Sequence, residues 1–187
     1  VDGEQRLLPL WVHSIDTCGV ASYLLKEWLP ESARKSLCRN MSEDELVSAG
    51  ICAAILHDLG KASALFQTQI AAKCPGLIEK LNAAGLQLLS DDDIRFFSSP
   101  AARLHHSAIG EILLLRAGCE LTFAEIIGAH HGQPWAEGRT LYCEDGRDII
   151  SRDIRSVAIW GRKESSPAWR DTQEECLRWM RSEEHTS

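Results

Sequence analysis

The segment SEDELVSAGICAAILHDLG commits a large part of this chain to helix. Ser42 stands three residues before Glu45, so the hydroxyl and the carboxylate satisfy each other's backbone donors in a capping box. Leu46, Ala49, Ala53 and Leu56 then recur at three- and four-residue steps on one helical face. Gly60 is placed to close the helix near Asp58. A helix with such a stripe needs neighbours to cover it, and the remaining sequence offers only more helices.

PLWVHSIDTCGVASYLLKEWLP repeats Trp11, Ile15, Cys18, Leu25 and Trp28 at helical steps and ends at Pro30. KASALFQTQIAAK reads as a helix ending before Pro75 and Gly76, and the stretch from about Gly85 to Pro100 reads as an irregular surface connection. HHSAIGEILLLRAG and TFAEIIGAHHG read as two further helices, the second opened by a capping box of Thr122 with Glu125 and stopped at Gly132 and Pro134. After the mixed loop QPWAEGRTLYCEDGRD, helices are expected around Ile149 to Trp160 and Pro167 to Met180. Strand signals are almost absent and no internal repeat is present. The expected architecture is all-α, a compact bundle of about six or seven helices.

A chain of 187 residues that is 44% hydrophobic can bury one substantial core, so a single domain is expected. No apolar run approaches the roughly 20 residues that cross a bilayer, and the N-terminal VDGEQRLLPLW lacks a basic segment leading into an apolar one. The protein therefore reads as soluble, cytoplasmic and without a membrane partner. Seven cysteines, scattered and never in a C-x-x-C pair, argue against a disulfide framework and a zinc knuckle. A net charge of −7 gives no general attraction to a phosphate backbone. Any nucleic-acid role must then rest on a local basic or metallic site, or on a partner that delivers the strand.

Chemistry concentrates in the histidines. Apart from His185, they fall in four places: His13, His57, the pair His105 and His106, and the pair His130 and His131. A lone histidine such as His13, on a face shared with Val20 and Leu24, is ordinarily a satisfied core residue. Two HH pairs and an HD pair shift that balance, because neutral imidazoles buried together need partners and a metal supplies one. Adjacent helical residues diverge by about 100°, so His57 and Asp58 do not chelate as an i, i+4 pair would, but they can flank a site from a helix end with the carboxylate bridging two ions. Lys61 reaches the same face if the helix persists, where it suits a phosphate oxygen better than a metal. An imidazole-rich set with few carboxylates suits manganese, iron, cobalt, nickel or zinc better than magnesium.

With these residues in this order, the chain resembles the HD phosphohydrolase superfamily and, more narrowly, the HD nuclease domain of the CRISPR-associated helicase-nuclease of type I systems. PLWVHSIDTCGVASYLL, ILHDLGKASALFQ, HHSAIGEILL and IIGAHHGQP carry the resemblance, which runs from about Leu8 to about Trp179. It implies a metal-dependent nuclease that cuts single-stranded DNA exposed by a crRNA-guided surveillance complex, with a fused or separate helicase module feeding the strand. His57 and Asp58 would be central ligands, with Asp58 bridging; His13 would serve one divalent transition-metal ion, and His106, His130 and His131 the other. His105 is the alternative to His106. Lys61 would contact the scissile phosphate, making His57, Asp58 and Lys61 the catalytic set. Other readings are a phosphohydrolase acting on nucleotides or cyclic nucleotides, and a degenerate helical binding module without catalysis.

The family pattern also includes a late aspartate on an apolar, small-residue helix. Asp145, Asp148, Asp153 and Asp171 are available but lack that context. The chain does not begin with Met, and its tail RSEEHTS resembles the translation of a common sequencing-adapter oligonucleotide. Residues 181–187 are accordingly expected to be non-native and His185 meaningless. The nuclease domain is expected to span 1–180 and to be incomplete at its C-terminus, with the late aspartate beyond it.

Overall fold

The computed structural model describes residues 7–99, 103–132, 152–162 and 166–180. Their order is α1 (Leu10–Tyr23), a π-helical turn (Leu24–Trp28), α2 (Glu31–Leu37), α3 (Glu43–Leu56), a 3-10 turn (Leu59–Lys61) and α4 (Ala64–Ala71). They continue with α5 (Pro75–Ala83), α6 (Asp91–Ser98), α7 (His106–Arg116), α8 (Leu121–Gly128), α9 (Arg152–Trp160) and α10 (Ser166–Met180). The fold is all-α, and no strand occurs among the described residues. No single helix there is long and apolar enough to cross a membrane.

The expected capping box at the head of α3 is present, with the Ser42 hydroxyl accepting from the Glu45 backbone N–H and the Glu45 carboxylate accepting from the Ser42 backbone N–H. Three helices, α2, α5 and α6, were not expected. Pro75 opens α5 at its first turn, where its missing N–H has no helical partner to lose, instead of only ending the preceding helix. In the stretch expected to be irregular, Ser90 and Asp93 form a capping box and start α6. At α8 the expected Thr122 to Glu125 box is not formed. Glu120 is the N-cap and its carboxylate accepts from the Phe123 N–H. The loop at 133–148 lies outside the described residues.

The core gathers around α7, whose Ala108, Ile109, Gly110, Leu113 and Leu114 are all buried. Ile55 from α3, Leu59 from the 3-10 turn, Leu65 from α4 and Ile127 from α8 join it, with Ile159 and Trp169 contributed by the last two helices. Each such fully buried aliphatic side chain contributes about 1.5–3 kcal/mol of transfer free energy. α1 and the π-helical turn depart from their expected role, since Trp11, Ile15 and Trp28 are exposed while Ser14 is buried. α1 packs on α3, and Gly50 of α3 leaves room for the Leu25 side chain.

Gly60 also differs from expectation. It does not close α3 in a left-handed conformation; among the described residues, positive φ occurs only at Gly85, Gly118, Gly132 and Gly161. Its role is close approach, because a Cβ there would lie 1.8 Å from the His106 carbonyl oxygen and 2.6 Å from the Gly110 nitrogen. Both are backbone atoms of α7, which therefore crosses the 3-10 turn almost in contact. Gly60→Ala is expected to cost about 2–3 kcal/mol in urea denaturation by forcing this crossing apart. Gly19→Ala in α1, with open space around it, is expected to stabilise by about 0.5 kcal/mol. Equal effects at the two positions would contradict the crossing.

Candidate metal centre

The site forms where α3 ends. His57 is the C-cap of α3 and still has helical dihedrals, but Asp58 turns to φ −102°, ψ 12° and leads into the 3-10 turn. This break removes the divergence expected for neighbours on a continuous helix, and the His57 Nε2 lies 3.0 Å from Asp58 Oδ2. Asp58 is only 2% exposed. His13, reaching across from α1, donates from Nε2 to the same Oδ2 at 2.8 Å, and the Lys61 ammonium also donates to Oδ2. The other oxygen, Oδ1, faces His106 Nε2 at 3.2 Å and His130 Nε2 at 3.7 Å.

Each half of the carboxylate thus has its own histidines. His13, His57 and Asp58 bring one ligand atom each within 4.8 Å of one another, as do Asp58, His106 and His130. The rings are also held in a definite sense. His57 Nδ1 donates to the Ala54 carbonyl and His130 Nδ1 to the Ile127 carbonyl, both at 2.7 Å. With Nδ1 committed to a carbonyl, Nε2 is in each ring the nitrogen that faces inward, the arrangement that orients metal-ligating histidines. Among the described residues, the buried Nε2 of His130 has no hydrogen-bond partner. An inward lone pair with nothing to accept from, beside a buried carboxylate and other imidazoles, fits a divalent metal ion.

The remaining expected residues divide. His131 is exposed and stands outside both Asp58 groups, its Nε2 3.1 Å from that of His106. His105 is the N-cap of α7, where its Nδ1 accepts from the Ser107 N–H. Of the two neighbours His105 and His106, it is His106 that lies beside Asp58. Asp171 is exposed on α10 and belongs to neither Asp58 group. Asp153 lies on α9, while Asp145, Asp148 and the tail 181–187 with His185 lie outside the described residues.

Several supporting groups carry no sequence signal of their own. The Ala54 and Ile127 carbonyls are available because each histidine sits just past the last full helical turn, where carbonyls lose their partners. Phe66 sets its ring edge-on to His106, with centroids 5.2 Å apart. Gln173 of α10, 2% exposed, donates to the Ala62 carbonyl at 2.7 Å and accepts from the Trp160 indole, which anchors the chain just after Lys61.

The order and spacing of these residues can be set against known proteins. The family described as Cas3, HD domain matches residues 1–186. This chain belongs to that family. Among curated relatives, the CRISPR-associated nuclease/helicase Cas3 of Streptococcus thermophilus is 29% identical over 187 aligned positions, covering 94% of this chain. The chain spans 19% of that relative's length. No solved structure matches the chain.

In this Cas3 HD domain the electrostatics centre on Asp58. Burial alone would raise its carboxyl pKa, but hydrogen bonds from His106, His57 and Lys61 outweigh that and hold it well below the usual carboxylate range. His57 is raised, chiefly by its hydrogen bond to Asp58, against the opposing effect of burial. His130 is lowered by burial above all. In the metal-free protein, Asp58→Asn removes the charged acceptor that favours imidazolium at His57, so the His57 pKa is expected to fall. An NMR titration of the ring protons reads this directly, and an unchanged His57 midpoint would contradict the pairing.

Proposed function

We propose that the domain is the nuclease of a CRISPR type I interference system, cutting single-stranded DNA in antiviral defence with the help of two divalent transition-metal ions. The observation that carries this reading is the division of Asp58: one carboxylate oxygen faces His13 and His57, the other His106 and His130. A bridging carboxylate with imidazoles on both sides suits manganese, iron, nickel or cobalt better than magnesium. Family membership and the nuclease/helicase name of the relative support the same reading. Bound at this centre, such ions would lower the pKa of an attacking water and stabilise charge on the leaving oxygen of a phosphodiester.

The chain's own residues prepare the site. Asp58 stays ionised throughout the neutral range and so supplies charge on both sides. The Nδ1 bonds of His57 and His130 hold the rings in the ligating orientation without further ordering. His131, its Nε2 3.1 Å from that of His106, would complete the histidine set on the Oδ1 side. Lys61 keeps its ammonium at the mouth of the site, partly exposed, where a phosphate oxygen can exchange for the Asp58 contact once that carboxylate is engaged elsewhere.

A net charge of −7 opposes unaided capture of DNA. The proposal therefore includes a helicase module that feeds the strand and a crRNA-guided surveillance complex that exposes it. Single-stranded DNA cleavage by this chain with manganese, nickel or cobalt tests the reading. Asp58→Ala is expected to lower the rate by at least about a hundredfold, and Lys61→Ala by about tenfold or more through loss of a charged hydrogen bond. Undiminished cleavage in Asp58→Ala would overturn the mechanism. Hydrolysis of nucleotides or cyclic nucleotides in preference to DNA would favour the phosphohydrolase alternative.

A further inference from the structure

A third histidine group lies beside the Asp58 centre and contains no carboxylate. His105, His106 and His131 bring one ring nitrogen each within 4.8 Å of one another. Their ring centroids are 4.1 Å apart for His105 and His106, 4.6 Å for His105 and His131, and 5.0 Å for His106 and His131. His131 is exposed, so an ion from solvent meets this group first. The three come from two elements that pack together, the head of α7 and the turn after α8, and the bond between His105 Nδ1 and the Ser107 hydroxyl fixes the His105 ring.

Ligand chemistry separates this group from its neighbour. Three neutral nitrogens without an oxygen ligand favour copper(II) or zinc over manganese and magnesium. His106 is common to both groups: its Nε2 is 3.2 Å from Asp58 Oδ1 and 3.1 Å from His131 Nε2. One nitrogen lone pair serves one ion at a time. Occupation of the outer group consequently removes His106 from the Oδ1 side of Asp58.

We propose that His105, His106 and His131 form an accessory zinc- or copper-class site, mutually exclusive with an ion held by Asp58, His106 and His130, through which such metals inhibit the domain. The accessory site stands on the three histidines alone, whereas the inhibition rests on the two-metal reading above. His105 is then the residue that distinguishes the two sites, since it belongs only to the outer one.

The test uses the full chain with His105→Asn, which removes the imidazole but keeps a side chain that caps α7. Copper(II) is the probe. The first equivalent is expected to show an electron paramagnetic resonance spectrum with nitrogen splitting from several imidazoles, in both the wild type and Asp58→Asn, and to bind about tenfold or more weakly in His105→Asn. A first equivalent that binds His105→Asn as tightly and with the same spectrum would overturn the accessory site.

Exclusion is read separately by adding zinc to manganese-loaded protein and following free manganese. Release of manganese from the wild type at zinc concentrations that leave His105→Asn loaded supports it. Equal release from both proteins would mean direct replacement at Asp58 and would overturn the exclusion. Failure of the wild type to bind manganese would instead fall on the two-metal reading, while the copper result would still decide the accessory site.

Discussion

A buried carboxylate with both oxygens engaged is the constraint from which the rest of this structure follows. Taking Asp58 out of water is costly unless charged or hydrogen-bonding partners offset it. His13, His57, His106 and Lys61 do so, and they come from α1, the end of α3, the head of α7 and the 3-10 turn. Four pieces of chain separated by up to 93 positions must therefore meet at one point, and the packing is arranged to permit it. Gly60 is the clearest case, because any side chain there would strike the α7 backbone beside His106. The same contact that seals the core brings His106 to the carboxylate.

Orientation comes from helix ends as much as from packing. α3 and α8 both stop where a histidine can turn its Nδ1 back onto a carbonyl three residues earlier. Carbonyls at a helix C-terminus need donors, and histidines placed there satisfy them while aiming the other nitrogen inward. Structure and chemistry thus share one set of hydrogen bonds. Behind them, Gln173 ties α10 and α9 to the chain beyond Lys61, so the last helices hold the turn in place.

Much of this was legible in the sequence, for identifiable reasons. Long apolar periodicity marks α3 and α7 well, and the Ser42 to Glu45 box fixed where α3 begins. α2, α5 and α6 escaped because Pro30, Pro75 and the Ser90–Asp93 run read as helix stops or surface connection, whereas each of them opens a helix. α1 and the π-helical turn show the opposite failure: their apolar stripe is periodic, yet Trp11 and Trp28 are exposed and the small Ser14 is buried. At the site, paired histidines signalled a cluster, but pairing could not tell which member turns inward. That depends on helix phase at the N-terminus of α7, where His105 caps and His106 reaches Asp58. The late aspartate was not located by sequence, and Asp171, exposed on α10, does not supply it within the described histidine groups.

The central claim is that the two oxygens of Asp58 divide the histidines between two ions. Anomalous diffraction from crystals soaked in manganese, collected at the manganese edge, tests it most directly. The account predicts two peaks flanking the Asp58 carboxylate, one beside His13 and His57 and the other beside His106 and His130. Peaks that lie away from Asp58, or a fully loaded crystal with a single peak touching neither of its oxygens, would contradict it.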